Sequence, residues 1–373
     1  MEGKHAGKDE IQSKRNANYQ SSAVKANQVK KRPKKKNKAV RIIGVIILIL
    51  VMILAGIIGG MYWYVQDKLG KMQQVDIDEG NLAIDSEVEQ NLTGYRNIAL
   101  FGVDSRDNEL GKGNRSDCII IASINNKTKE VKLLSVYRDT YVQIEGHGLD
   151  KITHAYAYGG PELAIQTLNA NLDLNITEFA TVNFDSVASI VNQIGGITIN
   201  IEQSEIQYIN EYIDATSKIT GISSKHVTKT GKQTLDGVQA VAYSRIRYTA
   251  GGDYKRTERM RDVLEAMVNK IKTMSIGEIN NLLDYALPMI YTNISTNDII
   301  ALIPDAFNYK IADSVGWPYE TKGITLNAWY GVPVTLESNV IQLHQELFGE
   351  EDYVPTQTVQ TINEKIVNKT GYE

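Results

Sequence analysis

Arginines and aspartates recur in five short phrases: FGVDSR (Phe101–Arg106), NRSD (Asn114–Asp117), YRDT (Tyr137–Thr140), SRIR (Ser244–Arg247) and GGDYKRTER (Gly251–Arg259). Each phrase abuts an apolar run, so each belongs at the rim of a packed core. Guanidinium forks bind phosphate bidentately, and carboxylates hold the metal ions that phosphates attract. The chemistry this set points to is work on a phosphate-bearing lipid. Asp104 ends one expected strand and Asp117 opens the next, so both carboxylates can reach one rim. With substrate phosphates and waters they would complete a Mg²⁺ site. The plainer alternative is that each caps a turn or pairs with Arg106 or Arg115.

Arg245 and Arg247 alternate, so an extended chain points both to one face. Arg256 and Arg259 are three apart and lie together near the start of an expected helix, where unpaired N–H groups favour anions. The bland alternative is a solvated basic face, or salt bridges to Glu258 and Asp262. Arg138 and Asp139 follow the apolar run VKLLSVY, and Lys151 in DKITHAYAYGG adds a further cation. His154 stands alone and reads first as a hydrogen-bonded structural residue, with general-base work the rarer alternative. No Gly-x-Ser-x-Gly, Cys–His pairing, HExxH or Walker-type loop occurs, so serine nucleophile, zinc protease and ATP chemistry are unsupported.

The elements that must position these residues read as alternating strands and helices. YRNIALFGV, DCIIIASIN, VKLLSVY, TYVQI, FATVNF and ITINI are β-branched-rich runs expected to form strands. Gly160-Pro161-Glu162 is expected to open a helix, Asp185 to cap another that Gly195-Gly196 stops, and Gln233–Tyr243 to be helical. Thr257–Met274 and Glu337–Phe348 carry strong amphipathic patterns. The alternation predicts an α/β domain with helices on a central sheet. The lone cysteine, Cys118, excludes an intrachain disulfide and is expected to be a buried, inert thiol.

Charge divides the chain. Residues 1–41 hold 13 of the 40 Lys and Arg but 3 of the 44 Asp and Glu, a balance of +10 against −14 for the remainder. Ile42–Val65 has no charged side chain. As a helix it would extend ~36 Å at ~1.5 Å per residue, enough to cross a ~30 Å hydrocarbon core. Tyr62, Trp63 and Tyr64 suit the far interface, and the basic run Lys30–Lys38 holds the near one. A cleaved signal peptide fits less well, since its apolar stretch is usually only ~7–15 residues. The expected organisation is a disordered cytoplasmic tail (1–41), a transmembrane helix (42–65), a stalk (66–91), an extracellular catalytic domain (92–350) and a polar, fraying tail (351–373). Membrane lipids are expected partners of the basic segment, and nucleic acid is not.

Taken in order, FGVD-x-R, RSD, S-V-x-RDT, K-I-x-x-AYAYGG, NF…GGI-x-I, LDG…AYSRIR and GGD-x-x-R-x-x-R resemble the LytR-CpsA-Psr family of bacterial cell-envelope glycopolymer ligases, from about Tyr95 to Met274. The resemblance implies a central mixed β-sheet flanked by helices. It also implies transfer of an anionic glycopolymer, a teichoic acid or capsular polysaccharide, from a polyprenyl-pyrophosphate carrier to peptidoglycan, with the polyprenyl chain in an apolar tunnel. It carries Mg²⁺ onto Asp104 and Asp117, and pyrophosphate contacts onto Arg106, Arg115, Arg138, Lys151, Arg245, Arg247, Arg256 and Arg259. The catalytic set it suggests is Asp104, Arg106, Arg138, Asp139, Arg245 and Arg247, with Asp104 or Asp139 as base. Two departures stand out: Met260 follows Arg259 where the family has Gln, and Tyr137 replaces the proline before RDT. Two rival readings are a non-catalytic polyprenyl-phosphate-binding scaffold, in which Mg²⁺ and Asp104 matter less, and a nucleic-acid-binding regulator, suggested only by the basic N-terminus.

Overall fold

The computed structural model describes residues 52, 59–60, 62–105, 109–302, 305 and 308–373. Trp63–Glu373 form one compact unit, separate from Met1–Tyr62. In the latter only Met52, Gly59, Gly60 and Tyr62 are described, all helical, so most of the expected span over 42–65 and the whole basic tail lie outside the described residues. Among the described residues no helix is long and apolar enough to cross a membrane.

β1 (Gln73–Gln74) and the short helix α1 (Ser86–Asn91) precede three strands, β2 (Tyr95–Val103), β3 (Ser116–Asn125) and β4 (Glu130–Val136). A hairpin, β5 (Tyr141–Ile144) and β6 (Gly148–Lys151), leads into helix α2 (Ile152–Leu172). Then come β7 (Glu178–Asn183), α3 (Phe184–Gln193), β8 (Ile197–Ile201), α4 (Ile206–Thr220), β9 (Gly231–Leu235) and α5 (Gly237–Ser244). The chain continues through α6 (Gly252–Ile271), α7 (Ile276–Ala286), β10 (Tyr291–Thr292), α8 (Thr296–Leu302) and β11 (Lys310–Trp317). A hairpin of β12 (Thr321–Thr325) and β13 (Trp329–Pro333), then α9 (Leu336–Phe348) and α10 (Gln357–Thr370), complete it.

The central sheet has the order β1-β10-β7-β2-β3-β4-β11. It is mixed: β2 runs antiparallel to β3 and parallel to β7, and β4 runs antiparallel to β3 and parallel to β11. The expected α/β class and the mixed sheet are therefore both present. Its two faces differ. Ala99, Phe101, Val103, Ile119, Ile121 and Phe179 are sealed beneath α2, α9 and α10 in the main core. On the opposite face Leu100, Gly102, Cys118, Ala180 and Val182 are only half-buried, although they sit on the central strands. Register pairs Leu100 with Ala180 and Ile120, and Gly102 with Val182 and Cys118, so these residues share one surface. Burial still pushes the Cys118 thiol up to about 12, which keeps it in the unreactive protonated form.

Several boundaries differ from expectation. The tail after 350 does not fray: α10 buries Val359, Ile362 and Ile366 in the main core, each worth roughly 1.5–3 kcal/mol against exposure. The bond that holds it is Asp173, in the left-handed region, whose carboxylate accepts from Tyr353 Oη and from the N–H and hydroxyl of Thr356. Leu82 and Val88 of the expected stalk also belong to that core. Asn183, not Asp185, caps α3 through the N–H of Ser186. The Gln233–Tyr243 segment divides, because β9 pairs with β8 before Asp236 caps α5. α2 begins at Ile152, and Gly160 interrupts it with φ 70° and ψ −157°. There the backbone of Lys112 lies against it, and Gly113 N donates to Ala157 O at 3.0 Å. Finally, α5 and α3 meet backbone to backbone: a Cβ on Gly237 would lie 1.8 Å from the carbonyl oxygen of Ala188.

Candidate functional site

The C-terminal end of β2 and the start of β3 bring Asp104 and Asp117 to the same edge of the sheet. Gly102 pairs with Cys118 and Val103 with Ser116, which leaves Asp117 as the extra residue of a bulge. A bulge re-aims the residue it adds, and here it turns Asp117 to the cation after β4. Arg138 Nη1 donates to Asp117 Oδ1 at 2.5 Å, and Arg256 Nη2 reaches the Asp117 carbonyl oxygen at 3.4 Å. The Arg138–Asp139–Thr140 phrase is a tight turn, closed by the N–H and hydroxyl of Thr140 on Tyr137 O. Within it Asp139 Oδ1 lies 2.7 Å from Lys151 Nζ and 3.8 Å from Arg138 Nε.

α6 supplies the opposite wall. Gly251, at φ 91°, starts the helix in a conformation that other residues reach only with strain. Asp253 follows, 3.2 Å from Arg256 Nη2 and 3.6 Å from Arg247 Nε. Burial pushes its carboxyl up to about 6, with the charges of Asp139 and Asp117 adding to the effect and Arg247 and Arg138 opposing it. Three carboxylates and three arginines therefore act on one another across this space. Arg245, at the C-cap of α5, stacks over Phe184 at 5.7 Å and Tyr212 at 5.5 Å and donates to Thr216 Oγ1 at 3.2 Å. Arg245 and Arg247 are not on one extended strand as alternation suggested; they flank Tyr212, and both act on its hydroxyl. Burial and the charge of Asp104 raise the Asp185 carboxyl, against the pull of Arg245, so Asp104 belongs to the same field.

The structure thus gathers Asp104, Asp117, Arg138, Asp139, Lys151, Arg245, Arg247 and Arg256. Arg115 is exposed immediately before β3, and Arg106 lies outside the described residues. Arg259 is placed differently from the expectation of a phosphate contact. It is 1% exposed, its Nε donates to Glu205 at 2.7 Å, and its other nitrogens donate to Ile246 O and Thr249 Oγ1. All three nitrogens are engaged within the protein, which makes Arg259 a brace between α6 and the start of α4. Asp253 is the residue sequence reasoning passed over, although its place between Gly252 and Arg256 in the basic phrase was the available signal.

Unused polar capacity remains at the site. Arg138 Nε, Arg256 Nε and Ser116 Oγ are buried without a hydrogen-bond partner among the described residues, a condition that native proteins rarely leave without a function. No group of three or more His, Cys, Asp and Glu is arranged to hold a metal among the described residues. Magnesium commonly takes only one or two protein carboxylates, with waters and substrate phosphate. Asp104 and Asp117, hard oxygen donors at adjacent strand ends, suit that manner of binding.

Comparison with known proteins places the chain in a family. A model of the LytR_cpsA_psr family matches residues 60–342. Over 306 residues the chain is 31% identical to the polyisoprenyl-teichoic acid–peptidoglycan teichoic acid transferase TagT of Bacillus subtilis (strain 168), covering 80% of this chain and 92% of that protein. It is 32% identical to the transferase of the same description, TagU, from Enterococcus faecalis, covering 74% of this chain and 85% of that one. Among solved structures, the protein gbs0355 from Streptococcus agalactiae superposes with a TM-score of 0.63 at 26% identity, over 78% of this chain and 98% of that one. TagT bound to LI-WTA gives a TM-score of 0.52 at 26% identity, over 80% and 94%.

Proposed function

The chain belongs to the LytR-CpsA-Psr family, and on that premise we propose that it is a phosphotransferase that moves an anionic glycopolymer of teichoic-acid type from a polyprenyl-pyrophosphate carrier to peptidoglycan. The observation that carries this reading is the convergence of Arg138, Arg247, Arg256 and Lys151 on Asp117, Asp139 and Asp253 at one edge of the sheet, with Arg245 joined to Arg247 through Tyr212. A diphosphate entering there meets several guanidinium groups at fixed positions. Phosphoryl transfer is catalysed mainly by such positioning and by neutralising charge on the non-bridging oxygens.

The residues divide the work. Arg138 and Arg256, braced by Asp117 and Asp253, fix positive charge at the sheet edge for the phosphate oxygens. Arg247, beside Asp253, and Arg245, beside Tyr212, would stabilise the departing polyprenyl phosphate. Lys151, held by Asp139, adds a further positive charge. Asp104 and Asp117 would hold Mg²⁺, whose chemistry is further neutralisation of the phosphate oxygens. No ATP is needed, because breaking the pyrophosphate bond supplies the driving force. The half-buried face of Leu100, Cys118, Ala180 and Val182 would offer the polyprenyl chain an apolar surface. Residues 42–65 would anchor the enzyme in the membrane, with 66–373 on the outer side where peptidoglycan lies.

The test incubates the full chain in detergent with a pyrophosphate-linked lipid glycan and peptidoglycan oligomers. A covalent phosphodiester product is expected. Lipid binding with no product, with or without Mg²⁺, would instead describe a scaffold.

A further inference from the structure

Asp139 is paired with Lys151, and Asp104 is assigned to the metal, which leaves the acceptor hydroxyl without a base. A second cluster of titratable groups adjoins the site. The first turn of α2 docks onto the Arg138–Thr140 turn: Thr153 N donates to Arg138 O at 3.1 Å and Ile152 N to Thr140 O at 3.0 Å. Thr153 Oγ1 also donates to Ser116 O, next to Asp117. The following residue is His154. Its Nδ1 lies 2.8 Å from Asp150 Oδ2, and its side chain is 25% exposed.

Asp150 is held on several sides. Tyr158 Oη donates to Oδ2 at 2.8 Å, and Lys151 N to Oδ1 at 2.8 Å, while Tyr330 Oη approaches Oδ1 at 3.5 Å. Burial pushes its carboxyl up, but hydrogen bonds from His154, the Lys151 N–H and Tyr158 outweigh that and leave it below the ordinary aspartate range. An ionised Asp150 accepts only, so Nδ1 of His154 carries the proton and the basic lone pair is on Nε2. This is how a carboxylate orients an imidazole base in hydrolases. Tyr158, 43% exposed, stacks on His147 of the β5–β6 turn at 4.1 Å and forms a wall beside the imidazole at 5.9 Å. Aromatic faces of this kind suit the apolar face of a sugar.

We propose that the Asp150–His154 pair is the general base for the acceptor saccharide, which lies against Tyr158 with its hydroxyl at His154 Nε2. The inference rests on the transferase reading above. In the step, the hydroxyl proton passes to Nε2 as the hydroxyl oxygen bonds to the glycan-linked phosphorus. The bond from that phosphorus to the bridging oxygen breaks, and its electron pair leaves with polyprenyl phosphate. The imidazolium then returns its proton to water.

The experiment measures single-turnover transfer against pH, and lipid-substrate binding, for the full chain in detergent and for His154→Gln and Asp150→Asn. The groups facing His154 are Asp150 and Tyr158, with His147 stacked on Tyr158 and the Lys151 N–H and Tyr330 on Asp150. His154→Gln should lower the rate by about 10²–10⁴-fold, the usual range for a positioned base, and abolish the acid limb of the profile while lipid binding stays within about twofold. Asp150→Asn should lower the rate less, with lipid binding again within about twofold, since the imidazole loses the carboxylate that orients it. An unchanged acid limb in His154→Gln would overturn the proposal, as would loss of lipid binding in both variants. Parent protein that forms no product would instead refute the transferase reading itself.

Discussion

Arg138 reaches from the turn after β4 to the carboxylate of Asp117, the added residue in the β3 bulge. One contact thereby ties a phosphate-binding cation to a metal-ligand candidate, and neither side chain can reorient without disturbing the other. Arg138→Ala should lower transfer by about 10²–10³-fold, the scale of removing one donor to a developing anion. Arg138→Lys should recover little, because lysine offers no planar fork. Single-turnover rates on folded variants decide the matter, and near-normal turnover in Arg138→Ala would remove the residue from the mechanism.

Asp253 predicts a pH effect on stability. Its carboxyl is pushed up to about 6 by burial, from an ordinary 3.8, so the folded state holds a proton that the unfolded state has released. Stability therefore falls as pH rises through that interval and stays lower above it. Asp253→Asn should raise stability at pH 8 by roughly 1–3 kcal/mol and have little effect at pH 4. Denaturant unfolding at the two pH values measures this, and equal gains at both would contradict it.

The Arg259–Glu205 pair predicts a structural cost. Both side chains are nearly inaccessible, at 1% and 2% exposure. Removing one partner of such a pair typically costs 3–5 kcal/mol, because a charge is left buried alone. Glu205→Gln should therefore lower the melting temperature markedly, and recover lipid binding fully once the protein is refolded in the cold. A specific loss of lipid affinity at unchanged stability would return Arg259 to the phosphate site.

Asp173 predicts that the C-terminal helix is integral. Asp173→Ala removes acceptors for Tyr353 and for both groups of Thr356 and should cost about 2–4 kcal/mol, summing the usual worth of such bonds. Hydrogen exchange should rise first in α10. Exchange that rises evenly across the sheet would show that α10 is not separately held.

Chelation separates chemistry from binding. If Mg²⁺ serves Asp104 and Asp117, EDTA should abolish product formation and added Mg²⁺ should restore it, while the arginines retain the lipid substrate. Full activity in EDTA would leave the two aspartates a purely structural role.

Local patterns made much of this legible. The β-branched runs are strands, and Val263, Leu264 and Met267 announced α6 by their spacing. The convergence of the basic phrases followed from each one bordering an apolar run. What stayed hidden depends on long-range pairing. The bulge at Asp117 exists only through the register of β3 on β2. Arg259 shares a helix face with Arg256 in sequence terms, yet Glu205, 54 residues upstream, claims it. β10 and β11 enter the sheet from a stretch with no chemical signature, and α10 looked polar because only three of its residues face inward.

The backbone contact between Gly237 and Ala188 makes α5 a lever with its fulcrum at its first residue. Adding even a methyl group at 237 would push the whole rod outward and carry Arg245, at its other end, off the aromatic rings beneath it. Such a lesion would mimic loss of the arginine while sparing every residue in the opening. Because the obstacle is a main-chain oxygen, trimming a neighbouring side chain would offer no cure.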